Sequence, residues 1–281
     1  MRIIKTTAGL TAIEKDENKI PYNVEKGQNG KNYVTIDSVR SDVLNVSGGN
    51  SKTGEKVINF NFPIEYTCKH SCECYSKGIC YACSGCYLFG SNQKLYSENY
   101  NFFTNQTSET FMNAIQYAID KTGFKLFRYF TCGDIPNSRF LDCIVKIAGK
   151  NPSVKFWTYT KKYHIVNTYV AENGGAPYCS AIPENLTIIF SHWMNEDGSY
   201  HPMENPYKFP TSEFIPYGRE ELKNTVTHIC PCSDPTIKAT CATCDRPCYS
   251  LKKGESMALL EHSTAQTKER DKAIKQAKER L

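Results

Sequence analysis

The chain has 281 residues, 22% of them charged and 40% hydrophobic, a length that can bury a large core as one domain or as a main domain with appendages. Its formal net charge is +5, but residues 266–281 carry six Lys/Arg against three Asp/Glu, leaving only +2 elsewhere, which excludes a strongly basic nucleic-acid binder. Unbroken apolar runs reach about five residues against the ~20 that span a bilayer, so no membrane partner is expected.

The opening Met1-Arg2-Ile3-Ile4-Lys5 has too short an apolar run for an export signal, which makes reducing cytoplasm the expected compartment. Residues 1–66 read as a β-rich N-terminal segment, with apolar or β-branched patches at 33–36 and 57–62 and turns at Asn29-Gly30 and at 47–50. The glycine-bearing stretch Gly48 to Lys56 lacks the spacing of a phosphate-binding loop and reads as a surface turn.

From residue 108 the period changes. Ser108 to Lys121 predicts an amphipathic helix presenting Phe111, Ile115, Ala118 and Ile119, closed by Gly123. Strands at 124–131, 154–160 and 186–191 alternate with helices at 138–148 and 163–172, and a further strand at 225–229 runs into Cys230. The alternation predicts an α/β fold, with a mostly parallel sheet or partial (β/α) barrel as the cysteine-rich core over 67–250. Residues 192–224, rich in Pro, Tyr and Asn, read as a long loop over one rim, and residues 251–281 as a charged C-terminal helix.

Cysteine carries the strongest signal. Cys68, Cys72, Cys74, Cys80, Cys83 and Cys86 fall within nineteen positions, and Cys230, Cys232, Cys241, Cys244 and Cys248 form a second group. Cys132, Cys143 and Cys179 stand alone, and Cys143 suits a buried small hydrophobe. Cysteines two or three residues apart bridge one another poorly, so a disulfide framework is the weaker explanation and metal the stronger. Cys80-x2-Cys83-x2-Cys86 with a remote Cys230-Pro231 resembles bacterial ferredoxin spacing and points to an iron-sulfur cluster, 4Fe-4S by preference. Zinc is the alternative, with Cys230/Cys232 and Cys241/Cys244 as paired hooks. Cys68 and Cys74 complete the set of metal-ligand candidates, while His70 and His228 fit a surface or supporting role better than ligation.

In parallel α/β folds functional groups collect at the carboxyl ends of strands. Here those ends carry Cys132-Gly133-Asp134, Tyr159-Thr160-Lys161 and Ser191. Arg128 shares a strand face with Leu126 and Phe130 by alternation, an expensive place for a charge unless a carboxylate such as Asp134 or a ligand anion meets it. The candidate catalytic residues are therefore Asp134, Lys161 and Arg128, with Tyr159 and Ser191 as cofactor contacts and an anionic small molecule or nucleotide as ligand.

Taken together, Ser51-Lys52-Thr53-Gly54, Thr67-Cys68 to Cys86-Tyr87, Phe127-Arg128 with Gly133-Asp134, Tyr159-Thr160-Lys161 and Cys230 to Cys248 resemble a phage-encoded family of cysteine-rich proteins, gene product eighty-eight. That resemblance implies a phage protein in host cytoplasm. A looser likeness is to radical-SAM-type half barrels, which place Cys-x3-Cys-x2-Cys on parallel strands where this chain has Cys-x2-Cys-x2-Cys. Two functions follow. One is an iron-sulfur protein, enzymatic or redox, acting on an anionic substrate; the other is a zinc-binding module contacting nucleic acid or a host protein.

Overall fold

Strand β7 (Gly54–Phe60) is the first of six strands that run parallel and in chain order across one sheet. A computed structural model describes residues 1–7, 9–13, 22–50, 53–68, 73–76, 80–174, 181–192, 202–215, 229–233 and 237–260. Before β7 the chain forms β1 (Arg2–Thr6), β2 (Gly9–Ile13) and β5 (Val43–Asn45) in a small antiparallel sheet, and β3 (Val24–Lys26) with β4 (Asn32–Val34) in a hairpin. Strand β6 (Ser47–Asn50) turns antiparallel onto β7 and forms one edge of the main sheet. The main sheet therefore begins inside the stretch assigned by sequence to the N-terminal segment.

The parallel strands after β7 are β8 (Leu126–Tyr129), β9 (Lys155–Thr160), β10 (Leu186–His192), β11 (Thr211–Ile215) and β12 (Ser256–Leu260). The seven-stranded sheet ends at β6 and β12, so it is open and the expected partial barrel is corrected to an open sheet. Each crossover steps one strand in the same direction; the described part of the last connection, between β11 and β12, packs on one face of the sheet, whereas the right-handed crossovers that carry helices lie on the opposite face. On that face Ile58, Phe60, Phe127, Tyr129, Phe156, Ile188 and Phe190 form one core with the helices.

Three of those helices follow the sequence pattern. α4 (Ser108–Thr122) starts at Thr107, whose hydroxyl accepts from Thr110 N at 3.1 Å, and stops at Gly123, where φ is +64°. α5 (Ser138–Lys150) is capped by Asn137, which accepts from Phe140 N at 3.0 Å, and α6 is Tyr163–Glu172. α1 (Ile64–Thr67) and α2 (Glu73–Ser76) are single turns within the first cysteine stretch.

The helix α3 (Gly90–Asn105) was not expected, because most of its length buries polar residues and only Phe102 and Phe103 near its end join the core. Gln93 accepts from Val34 N at 2.8 Å, Ser97 donates to Val34 O at 3.1 Å, and Asn99 bonds Asn45 through both its amide groups. These contacts complete the backbone of β4 and β5, so helical packing is achieved without an apolar stripe.

Two further expectations are corrected. The presumed loop at 192–224 contributes β11, and the segment from 256 to 260 is an edge strand in place of a helix. Residues 261–281, including the charged tail, lie outside the described residues, as do 225–228 of the expected strand; Ile229 makes a single parallel bridge to Ala258. No described helix is long and apolar enough to cross a membrane.

Candidate functional site

The carboxyl ends of β7 and β8 are clamped by one buried side chain. Asn61 Oδ1 accepts from Thr131 N at 2.7 Å, Thr131 Oγ1 at 2.8 Å and Cys132 N at 3.0 Å. Strand β8 stops there because Phe130 adopts φ +61° and Gly133 φ +94°. The reversal at Phe130 also turns its ring into the helix-side core, so it does not share a face with Arg128 as strict alternation predicted.

This turn delivers Cys132 to the first cysteine group. Cys132 and Cys83 are buried with Tyr33, Ile64, Tyr75 and Ala82, and Cys68, Cys80 and Tyr87 pack at the margin. Tyr81 fastens the loop by donating to Thr131 O at 2.7 Å, and Cys80 N donates to Cys74 O at 3.1 Å. Cys132 belongs with the group although sequence spacing set it apart; its place at a strand end was the available signal. Cys86 is exposed, Cys143 is buried in the helix-side core, and Cys72 lies outside the described residues. Cys74 is disulfide-bonded, so it does not count among the free thiols as a ligand.

The thiols differ in acidity. A hydrogen bond from Cys83 lowers the Cys80 pKa against the effect of burial, and Lys161 and the Ala82 and Cys83 amides add to it, while Cys83 is correspondingly raised. Burial pushes Cys68 up to about 12 and raises Cys132 as well. Cys80 is thus the thiol of the group most readily ionised, and the thiolate is the form that binds metal.

Asp134 and Lys161 stand behind these cysteines. The Asp134 carboxylate accepts from Thr160 Oγ1 at 2.6 Å, Ile135 N at 2.7 Å and Lys161 N at 2.9 Å, and Asp134 N donates to Thr67 Oγ1 at 3.1 Å. It joins the ends of β7, β8 and β9 and is better placed to hold the loops than to exchange protons. Burial raises its pKa despite those donors. The protonated form is thus favoured in the folded state, and the stabilising contribution is complete below the unfolded value near 3.8 and lost as pH rises through the raised folded value. Urea unfolding at stepped pH should show this slope in the native protein and its loss in Asp134→Asn.

The opposite face of the sheet carries Val57, Asn59, Leu126, Arg128, Trp157, Tyr159, Ile189 and Met257, and the second cysteine segment covers much of it. Thr53 is buried and its carbonyl accepts from Ala242 N at 3.0 Å, while a Cβ on Gly54 would lie 2.6 Å from Thr240 Oγ1. The stretch read as a surface turn is therefore a docking point for this segment. Cys232 hydrogen-bonds both Cys230 and Cys241, which lowers the pKa of those two and raises its own. Tyr159 Oη donates to Cys248 Sγ at 2.8 Å, and Cys244 is half-buried.

Arg128 lies between the two groups. Its guanidinium sits 5.3 Å from the Tyr159 ring centroid and bonds Cys241. Burial opposes its charge, but Cys241, Tyr81, Tyr159 and Tyr87 outweigh that and raise its pKa. Among the described residues Arg128 pairs with no carboxylate, Asp134 included. Ser191, by contrast, pairs in register with Ser212 and accepts from Tyr163 Oη through its carbonyl, with no described contact to either cysteine group.

Among the described residues, no three or more His, Cys, Asp or Glu side chains are arranged to hold a metal ion. The thiols gather in two places without closing around a point.

The Gene product 88 family model matches residues 43–208. The chain belongs to that family. The matched stretch takes in β5 through β10 and the first cysteine group, and ends before the second, where the motif resemblance had extended. No curated protein and no solved structure matches, so the comparisons lend no support to the looser radical-SAM likeness. What places this Gene product 88 member chemically is its own pair of thiol groups.

Proposed function

We propose that the protein is a thiolate metalloprotein whose first cysteine group holds an iron-sulfur cluster and acts on a small anionic substrate. The observation that supports this reading is the packing of Cys68, Cys80, Cys83 and Cys132, from three stretches of chain, into one cluster at the carboxyl ends of β7 and β8. An all-sulfur donor set in which the Cys80 pKa is lowered suits a soft metal, and binding would deprotonate the thiols. A bound cluster would supply one-electron chemistry. The protein's own residues would do the rest: Lys161 provides positive charge beside Cys80, Arg128 provides it beside Tyr81 and Tyr87 of the same stretch, and Asp134 fixes the loops that carry Cys68 and Cys132.

For the second group a specific observation favours zinc. The described residues of 230–251 contain only two short 3-10 turns, at Pro231–Ser233 and Cys248–Ser250, yet they cover a sheet face. A segment with so little regular structure gains most from a closed four-thiolate site, which Cys230, Cys232, Cys241 and Cys244 can supply. Cys244→Ser should release zinc and lower the unfolding midpoint while leaving visible absorption unchanged. Loss of colour with zinc retained would reverse the assignment of the two groups.

A further inference from the structure

Three neighbouring strands place three polar side chains side by side on the sheet face opposite the helices. Asn59 pairs in register with Arg128, and Arg128 with Trp157. Adjacent strands are about 4.8 Å apart, so the three form one row. Each ends in a buried polar atom without a partner: Asn59 Oδ1, Arg128 Nε and Trp157 Nε1. Asn59 is 2% exposed and Trp157 fully buried, so solvent does not satisfy them. The Asn59 amide nitrogen is already spent on Thr53 Oγ1 and Val57 O, both at 3.3 Å, which leaves its oxygen as the unpartnered acceptor. Arg128, in the middle, is only partly buried and is the member of the row that solvent reaches.

Buried polar groups in proteins are nearly always paired, and three orphans in register call for a common partner. Arg128 Nε and Trp157 Nε1 offer N–H donors, and Asn59 offers an acceptor; the Arg128 charge faces the Cys241 thiol but no described carboxylate. We infer that this row binds a compact oxyanion bearing its own proton donor, such as a hydroxycarboxylate or a monoprotonated phosphate: the oxyanion would accept from Arg128 and Trp157, and the ligand's O–H would donate to Asn59. The inference deepens the proposed anionic substrate and rests on that reading for its role, though not for its existence.

Calorimetric titration of the full chain as purified, with glycolate against acetate and hydrogen phosphate against sulfate, tests it. In at least one pair the proton-bearing member should bind about tenfold tighter, the worth of one hydrogen bond to a charged or buried group; which pair discriminates identifies carboxylate or phosphate. Trp157→Phe, which keeps the ring and removes the donor, should weaken that ligand roughly tenfold. Should that variant not fold, Arg128→Lys, at a partly exposed position, should do the same. The inference is overturned if none of the four anions binds, if the members of both pairs bind alike, or if the variants bind as the native chain does. The readout does not depend on metal: colourless protein that selects glycolate defeats the cluster and leaves this site, whereas brown protein indifferent to all four defeats this site alone.

Discussion

Serine at both Cys80 and Cys83 should leave the purified protein without iron and without visible colour, while Cys143→Ser keeps both. Cys80 is the thiol of the first group whose pKa is lowered, and Cys83 is the neighbour whose hydrogen bond lowers it. A hydroxyl is nearly the same size but is neither thiolate nor soft, so the double change removes two ligands with little repacking. Cys143 sits in the helix-side core of the same protein, also free and buried, and controls for the loss of any buried sulfur. Iron and acid-labile sulfide per chain, measured beside far-ultraviolet circular dichroism, separate loss of metal from loss of fold. If the double variant kept its iron, the first group would not be the cluster site.

Gly133→Ala should cost about 2–5 kcal/mol of stability and lower metal content with it. The residue adopts φ +94°, where an L side chain is strained by about 1–2 kcal/mol, and its Cβ would lie 2.6 Å from the carbonyl oxygen of Phe62. Relief requires the ends of β7 and β8 to separate, adding about 1–3 kcal/mol of overpacking. Those ends carry Cys132 and Asp134, so damage to the turn reaches the thiol group directly. Gly123→Ala supplies the comparison: its φ is +64°, but nothing lies within 4 Å of the added methyl, so only the backbone term, about 1 kcal/mol, applies. Equal losses for the two variants in urea unfolding would show that contact with Phe62 contributes nothing.

The parallel core was legible because its signals are local. Thr107 and Gly123 bracket α4, Asn137 caps α5, and β8, β9 and β10 fall at apolar runs between helices. What escaped has a physical reason in each case. Except for Phe102 and Phe103 near its end, α3 buries amide and hydroxyl groups bonded to strand backbones, which no apolar period reveals. β11 is a short strand, TSEFI, whose buried residues Ser212 and Ile215 do not alternate as apolar and polar. β12 reads SMALL, a run with helical propensity that becomes a strand because β11 offers it an unpaired edge.

The candidate site was half legible. Spacing alone marked the clusters and the strand ends, but only the fold brings Cys132 to Cys68, Cys80 and Cys83, and puts Arg128 against Cys241. Asn59 and Trp157 drew no notice, since a lone Asn or Trp in a strand carries no motif; their significance comes from register with Arg128.

The most direct test of the cluster is metal and sulfide analysis, with absorption spectroscopy, of the full chain purified without oxygen. The account predicts brown protein containing iron and sulfide, with broad thiolate-to-iron absorption that bleaches on reduction. Colourless protein carrying zinc alone, or no metal at all, would contradict it.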